Sequence, residues 1–177
     1  MMPIDRSNMK IIYFGLGSNR GDRYGYLQQA KTLLSQYFEL TNQSSIYETA
    51  PIGYIDQGAF LNQAVEMETS ESTDLILLKT QGIESKLDKE TLIKWGPRTI
   101  DIDILLYGED VVDEPYIKIP HPQMIHRRFV LEPLYEIDHN LKVPPYHKSI
   151  GHYLKNVQDQ DVQIYTLNHS CTRLNNL

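Results

Sequence analysis

The stretch WGPRTIDIDILLYG, residues 95–108, carries two aspartates inside the most sheet-like run of the chain. Side chains two apart on a strand share a face. The even positions from 100 to 106 are all isoleucine or leucine, which predicts a face packed against helices. The odd positions from 99 to 107 are predicted to face the other way, so Asp101 and Asp103 should project together, away from the core.

Two carboxylates this close repel each other, by roughly 2–3 kcal/mol at a separation of about 5–7 Å and an effective dielectric constant of about 20. Water on a solvated strand face, a basic partner or a divalent cation would each offset this repulsion. The neighbouring Trp95 and Arg98 favour a cation that is shared with a ligand, because a flat ring and a guanidinium suit a heterocycle that carries polyphosphate. Mg²⁺ binds one or two carboxylates and completes its shell with water and phosphate oxygens.

Strand and helix patterns alternate before this strand. The segments KIIYFGLGS, NQSSIYET and FLNQAVEMET predict strands, and DRYGYLQQAKTLLSQYFEL and STDLILLKTQGIESKL predict helices. The βαββαβ order predicts an α+β fold with a ferredoxin-like core, in which helices pack on one face of a mainly antiparallel sheet. We expect one domain over residues 10–165, with loose ends at 1–9 and 168–177.

The same patterns predict which side chains are buried. On the strand FLNQAVEMET, the core-facing Leu61, Val65 and Met67 lie opposite Phe60 and Asn62. A further helix, RRFVLEPLYEI, tolerates Pro133 only in its first turn. The core-facing residues predicted for the two earlier helices are Leu27, Ala30, Leu34, Tyr37 and Phe38 in the first, and Leu75, Leu78, Ile83 and Leu87 in the second, which Ser72 caps.

Composition excludes several classes of function. The 177 residues carry a net charge of −6, which argues against a nucleic-acid partner. The single cysteine, Cys171, cannot form an internal disulfide and has no metal-type spacing. The early apolar run is too short for a signal sequence or a membrane span. We therefore expect a cytoplasmic protein with no membrane partner. We also expect a monomer.

Two further clusters suit a phosphorylated heterocycle. The segment IPHPQMIHRRF gathers His121, His126, Arg127 and Arg128 into a local positive patch, and arginine forks match phosphate oxygens. Alternatively, the two histidines are ordinary surface or packing residues without a role in binding. Their spacing does not fit a pair of metal ligands on one helix. Phe60 and Asn62 could stack on and hydrogen-bond a flat ring, or could simply be packing residues.

The remaining motifs favour phosphoryl transfer over covalent catalysis. The segment GLGSNRGD places glycines before a helix but lacks both the Walker A lysine pattern and G-x-G-x-x-G spacing. No serine, histidine and aspartate form a credible triad. Phosphoryl transfer requires positioning and charge neutralisation rather than a nucleophilic side chain.

The stretch WGPRTIDIDILLYG closely resembles the signature of the 6-hydroxymethyl-7,8-dihydropterin pyrophosphokinase family. GLGSNRGD, SSIYETAPIG, FLNQAVEMET, QGIE and IPHP with RRFVLEPLYEI follow in family order over roughly residues 10–165. The resemblance implies a folate-pathway enzyme with ATP as co-substrate. In that reaction the pterin hydroxymethyl oxygen attacks the β-phosphorus of ATP, and two Mg²⁺ ions bridge the phosphates.

The resemblance also implies roles for individual residues. Asp101 and Asp103 match the metal ligands of the family. The resemblance implies catalytic roles for these two residues and for Arg98 and Lys89. The positions that match pterin contacts are Thr49, Ile52, Phe60, Asn62, Trp95 and Phe129. The positions that match ATP contacts are Gln81, Glu84, Trp95, Arg98, Ile104, His121 and Arg127.

The chain departs from the family pattern mainly in one loop. Family members carry two arginines, spaced by one residue, before the tryptophan. This chain has Lys89 in place of the first and Thr91 in place of the second, with Lys94 as a substitute for the lost charge. Smaller departures are Ala50 before Pro51 and Pro122 after His121.

Two other functions are weighed against the pyrophosphokinase. The altered loop is compatible with an inactive relative that senses ATP and pterin without turnover. Without the resemblance, the same residues fit a Mg²⁺-dependent nucleotidyl or phosphoryl transferase with another acceptor. Phe60, Asn62 and Phe129 are the residues that distinguish a pterin from another acceptor.

Overall fold

The computed structural model describes residues 8–50, 58–87 and 98–167. Apart from residues 8 and 9, the predicted loose ends and Cys171 lie outside this part of the chain. The strands are β1 (Lys10–Ser18), β2 (Glu39–Gln43), β3 (Tyr47–Thr49), β4 (Phe60–Thr69), β5 (Asp101–Tyr107), β6 (Val112–Glu114), β7 (Ile117–Ile119), β8 (Lys142–Val143), β9 (Lys148–Ser149) and β10 (Gln163–Ile164). The helices are α1 (Arg23–Leu34), α2 (Thr73–Lys86), α3 (Arg128–Ile137) and α4 (Ile150–Leu154).

One antiparallel sheet organises the protein, in the order β10-β3-β4-β1-β5, with β2 also paired to β4. The predicted second strand is split into β2 and β3, which follow one another along the same partner. The predicted βαββαβ order and mainly antiparallel sheet are confirmed. Within the described residues, no helix is both long and apolar enough to cross a membrane.

The first core lies between one face of the sheet and helices α1 and α2. Leu27, Ala30 and Leu34 of α1 are fully buried there, as predicted. Helix α1 ends at Leu34, so Tyr37 and Phe38 lie beyond it. Phe38 still packs into the core, whereas Tyr37 is 40% exposed, which contradicts its predicted burial.

Helix α2 buries only part of the face that was predicted. Ile83 and Leu87, the residue that caps the helix C-terminus, are buried as expected. Leu75 and Leu78 are 48% and 65% exposed, whereas Ile76, Thr80 and Ile83 are buried. The sequence carries leucine or isoleucine at each position from 75 to 78, so periodicity alone permits more than one buried face. Contact with the sheet selects the face that contains Ile76.

The second face of the sheet is also covered by helices, contrary to the prediction of one covered face. Helices α3 and α4 pack there against Tyr13, Ala64 and Leu105. Pro133 lies in the second turn of α3 rather than the first. Pro133 is buried, although proline cannot donate the backbone hydrogen bond of a helix interior.

A bulge in β5 lets this strand serve both cores. Tyr13 of β1 pairs with Leu106 and Phe14 pairs with Ile104, so Leu105 is an extra residue. Alternation therefore holds from Ile100 to Ile104 and then reverses. Leu106 joins the second core and Tyr107 joins the first, which makes their predicted faces wrong.

Candidate active site

Glycines of β1 form the floor of a cavity of about 500 Å³ on the second face of the sheet. The strand register places Gly17 between Asn62 and Asp101, and Gly15 between Ala64 and Asp103. A Cβ atom on Gly17 would lie 3.3 Å from the amide oxygen of Asn62, so a side chain here would crowd the cavity wall. The GLG sequence thus serves to keep the floor open.

Asp101 and Asp103 both line this cavity, on the shared face that alternation predicted. An Nη atom of Arg98 lies 2.8 Å from a carboxylate oxygen of Asp101. Asp103 lies farther from its basic neighbour, with 3.9 Å between its carboxylate and Nε2 of His121. The pair therefore sits among positive or protonatable groups.

A second cavity of about 300 Å³ opens beside the first. It is lined by Leu77 of α2, by Ile102 and Ile104 of β5, and by His121. Asp103 lines both cavities and so stands where they meet. Two ligands bound in the two cavities would approach each other beside the carboxylate pair.

Aromatic and amide side chains form the wall of the first cavity. Phe60 on β4 and Phe129 on α3 both line it. The amide of Asn62 donates a 2.9 Å hydrogen bond to the hydroxyl of Thr49, and this bond fixes the orientation of the amide. The guanidinium carbon of Arg127 lies 5.8 Å from the centre of the Phe129 ring, within cation–π range.

The surroundings of His121 favour its neutral imidazole. Burial lowers the pKa of His121, and the charge of Arg127 lowers this pKa further, while Asp101 acts in the opposite direction. Its Nδ1 accepts a hydrogen bond from the main-chain N–H of Gln123. In the neutral form the proton is therefore on Nε2, the atom that points toward Asp103 and can donate to an anion.

Similarity to known proteins identifies the family of this chain. Residues 13–139 match the model of 7,8-dihydro-6-hydroxymethylpterin-pyrophosphokinase, HPPK. The chain belongs to this family. It is 50% identical to the 2-amino-4-hydroxy-6-hydroxymethyldihydropteridine pyrophosphokinase of Bacillus subtilis over 129 residues, which cover 72% of this chain and 77% of that one. The enzyme of the same name from Aquifex aeolicus is 39% identical over 82% of this chain and 91% of its own.

A solved structure supports the HPPK fold. The HPPK-DHPS of Plasmodium falciparum with pterin and p-hydroxybenzoate matches 84% of this chain with a TM-score of 0.68. The sequence identity is 16%, so this likeness concerns the fold alone. The matched part is 43% of the Plasmodium chain, less than half of its length.

Some positions carried over from the HPPK family lie away from the two cavities or outside the described residues. Ile52, Lys89 and Trp95 lie in the undescribed segments. Gln81 is exposed on α2, and it is not among the residues that line either cavity. A carboxylate oxygen of Glu84 accepts a 2.8 Å hydrogen bond from the main-chain N–H of Ile102, which ties α2 to the strand of the carboxylate pair.

The two neighbouring carboxylates suit magnesium by their chemistry. Over residues 8–50, 58–87 and 98–167, no three histidine, cysteine or acidic residues converge on one metal position. Among the described residues that line the first cavity, Asp101 and Asp103 are the carboxylates that would hold such an ion. Mg²⁺ accepts such a pair when water and substrate phosphate complete its octahedral shell.

Asn19 is a site residue that the sequence analysis missed. It is 7% exposed, and its amide oxygen accepts a 2.9 Å hydrogen bond from the main-chain N–H of Arg98. Its amide nitrogen donates to the carbonyl of Gly58 at 3.2 Å. Asn19 thereby fixes the main chain that carries Arg98. An asparagine directly after the GLGS strand end was the available signal, but its partner is 79 positions away in sequence.

Proposed function

We propose that the chain transfers the diphosphate group of ATP to 6-hydroxymethyl-7,8-dihydropterin, giving the pterin diphosphate and AMP, in folate biosynthesis. The observation that carries the proposal is the meeting of an aromatic-walled cavity and a second cavity at a carboxylate pair, in a chain of the HPPK family. The first cavity is assigned to the pterin and the second to ATP.

The first cavity suits a flat, polar heterocycle. Phe60 and Phe129 supply rings that can stack on the pterin and exclude water from it. Asn62 can read the polar edge of the ring through its amide, which Thr49 already orients. Ile52 and Trp95 are further proposed pterin contacts, on the basis of the family resemblance.

The second cavity suits the nucleotide. Ile104 offers an apolar surface to the adenine, while His121 lies on the side toward the carboxylate pair. Arg98 and Arg127 line the first cavity and are proposed to contact the phosphates. Gln81 and Glu84 of α2 are proposed ATP contacts by resemblance, and for Glu84 the tie to β5 indicates a positioning role.

Asp101 and Asp103 are proposed to hold two Mg²⁺ ions, which would shield the charge of the triphosphate. Arg98 and Arg127 add positive charge where negative charge develops. The pterin hydroxyl oxygen forms a bond to the β-phosphorus, the bond from this phosphorus to the oxygen that bridges to the α-phosphorus breaks, and AMP leaves with that oxygen. The proton of the attacking hydroxyl passes to solvent.

Residues 88–97, which lie outside the described part of the chain, carry a prediction of their own. Lys89 is proposed to replace the first family arginine as a phosphate contact. Lys89→Ala should then lower the turnover rate with only a modest effect on pterin affinity, because its charge acts on the triphosphate. Steady-state kinetics with Lys94→Ala as the matched variant decides which lysine acts. An unchanged rate for Lys89→Ala removes it from the mechanism.

The test of the function is product analysis. Purified protein with Mg²⁺, ATP and 6-hydroxymethyl-7,8-dihydropterin should form AMP and the pterin diphosphate, and neither product when the pterin is omitted. ADP as the product, or AMP formation without pterin, contradicts the proposal. Calorimetric binding of both ligands without turnover would instead identify an inactive relative.

Two further proposals concern the protein as a whole, a cytoplasmic location and a monomeric state. The monomer is tested by light scattering of the purified chain, for which a mass near 20.6 kDa is expected. A mass near twice this value contradicts it.

A further inference from the structure

Gln160 lines the first cavity, although it lies beyond residues 13–139, the part of the chain that matches the HPPK family. We propose that Gln160 is a positioning residue that fixes Arg127 for phosphate binding. The inference rests on the proposed function, because it assigns Arg127 to the nucleotide.

The side chain of Gln160 holds the main chain on both sides of Arg127. Its amide oxygen accepts a 2.8 Å hydrogen bond from the main-chain N–H of Arg128. Its amide nitrogen donates a 2.8 Å hydrogen bond to the carbonyl of His126. These two groups flank Arg127, so one side chain restricts the backbone from which the guanidinium projects.

The start of α3 requires such a partner. The first N–H groups of a helix have no carbonyl partner inside the helix. Arg127 is the capping residue of α3, and its side chain makes no capping hydrogen bond. The amide oxygen of Gln160 satisfies the N–H of Arg128 from outside the helix. It therefore fixes where α3 begins, and with it the position of Phe129 in the first turn.

Gln160 is itself held in place. The guanidinium of Arg128 donates to the carbonyl of Gln160 at 2.9 Å and also pairs with Glu132. The main-chain N–H of Gln160 donates to the carbonyl of Val157, whose side chain is buried in the second core. The hydrogen bonds from the Gln160 side chain to the main chain of His126 and Arg128 thus originate from a fixed main chain.

The main experiment measures nucleotide affinity. Gln160→Ala should weaken binding of a non-hydrolysable ATP analogue with Mg²⁺ by about three- to tenfold, the scale of one or two lost hydrogen bonds. KM for ATP should rise more than kcat falls. Gln160→Met retains the side-chain length without the hydrogen bonds and should behave alike.

Gln158→Ala is the matched control. Gln158 lies in the same segment, is exposed, and donates its amide to the carbonyl of Leu154 rather than to the start of α3. The Gln158→Ala variant should bind the ATP analogue with the same affinity as the unaltered chain. An equal loss of affinity in Gln158→Ala, or unchanged affinity in both Gln160 variants, overturns the inference.

A double-mutant cycle tests the route through Arg127. If Gln160 acts by placing this guanidinium, Gln160→Ala should cause no further loss of analogue affinity in an Arg127→Ala background. A full, additive loss in that background overturns the inference. Turnover by the unaltered chain distinguishes the two proposals. If the unaltered chain forms no AMP in a pterin-dependent reaction, the proposed function is contradicted. If it turns over normally and the Gln160 variants are unaffected, only the role of Gln160 is contradicted.

Discussion

The two carboxylates of the site have different surroundings, although they share one strand face. Asp101 is paired with Arg98 at 2.8 Å, while Asp103 lies at the junction of the two cavities. We propose that Asp103 meets both ligands, and that Asp101 keeps Arg98 oriented as well as binding a cation. Substitution of either should remove charge stabilisation from the reacting phosphate.

We expect Asp101→Ala and Asp103→Ala each to lower the turnover rate by at least about 100-fold, the scale of losing one preorganised charge stabiliser. AMP formation at saturating substrates is the measurement. Asp110→Ala is the control, since this carboxylate follows the far end of β5 and pairs at the surface with Lys10. Rates within threefold of the unaltered chain would exclude a metal role for the pair.

Replacement of Asn62 tests whether the pterin is the acceptor of the diphosphate group. Asn62→Ala should weaken pterin binding by about tenfold through the loss of a buried polar contact, while affinity for an ATP analogue stays within about twofold. Titration of the pterin in the presence of Mg²⁺ and the analogue gives both constants. Asn42→Ala, exposed on β2, serves as control. Equal losses for both ligands would favour another acceptor.

At the scale of elements, α2 shows where a sequence pattern is insufficient. Ile76 is fully buried, and Leu78 two positions later is 65% exposed. Ile76→Ala should therefore lower the free energy of unfolding by about 2–5 kcal/mol, and Leu78→Ala by less than about 0.5 kcal/mol. Urea unfolding of the two variants measures both values. The reverse order would restore the face predicted from periodicity.

The predictable part of the fold and site was local. Alternation along β5 placed Asp101 and Asp103 on one face because both precede the bulge. The face of Tyr107 was not predictable, since the extra residue arises from pairing with β1, which no pattern within β5 records. The roles of Asn19 and Gln160 were not predicted for a related reason. Their hydrogen-bond partners are remote in sequence, and a single polar side chain produces no periodic pattern.

At the scale of the whole molecule, the two cavities share Asp103 and are lined by elements from most of the described chain. Strands β1, β4 and β5 supply the floor and the carboxylates, α3 supplies Phe129, and the C-terminal segment supplies Gln160. Ligand binding should consequently stabilise the fold as a unit.

A saturating ATP analogue with Mg²⁺, at about 100 times its dissociation constant, should raise the melting temperature by about 5–10 °C. Excess EDTA should abolish this shift, because the triphosphate then meets the carboxylate pair without its cation. The control is EDTA without nucleotide, which should leave the melting temperature unchanged. A nucleotide shift that survives chelation would contradict the assigned metal site.

The bare glycine floor also bears on inhibition and resistance. A compound that rests on Gly15 and Gly17 would touch only main chain there, with no side chain to exchange for a less favourable one. Replacement of Gly17 by any larger residue would press on Asn62, the amide assigned to the natural substrate. A resistance substitution at Gly17 would thus weaken binding of the natural substrate as well as binding of the compound.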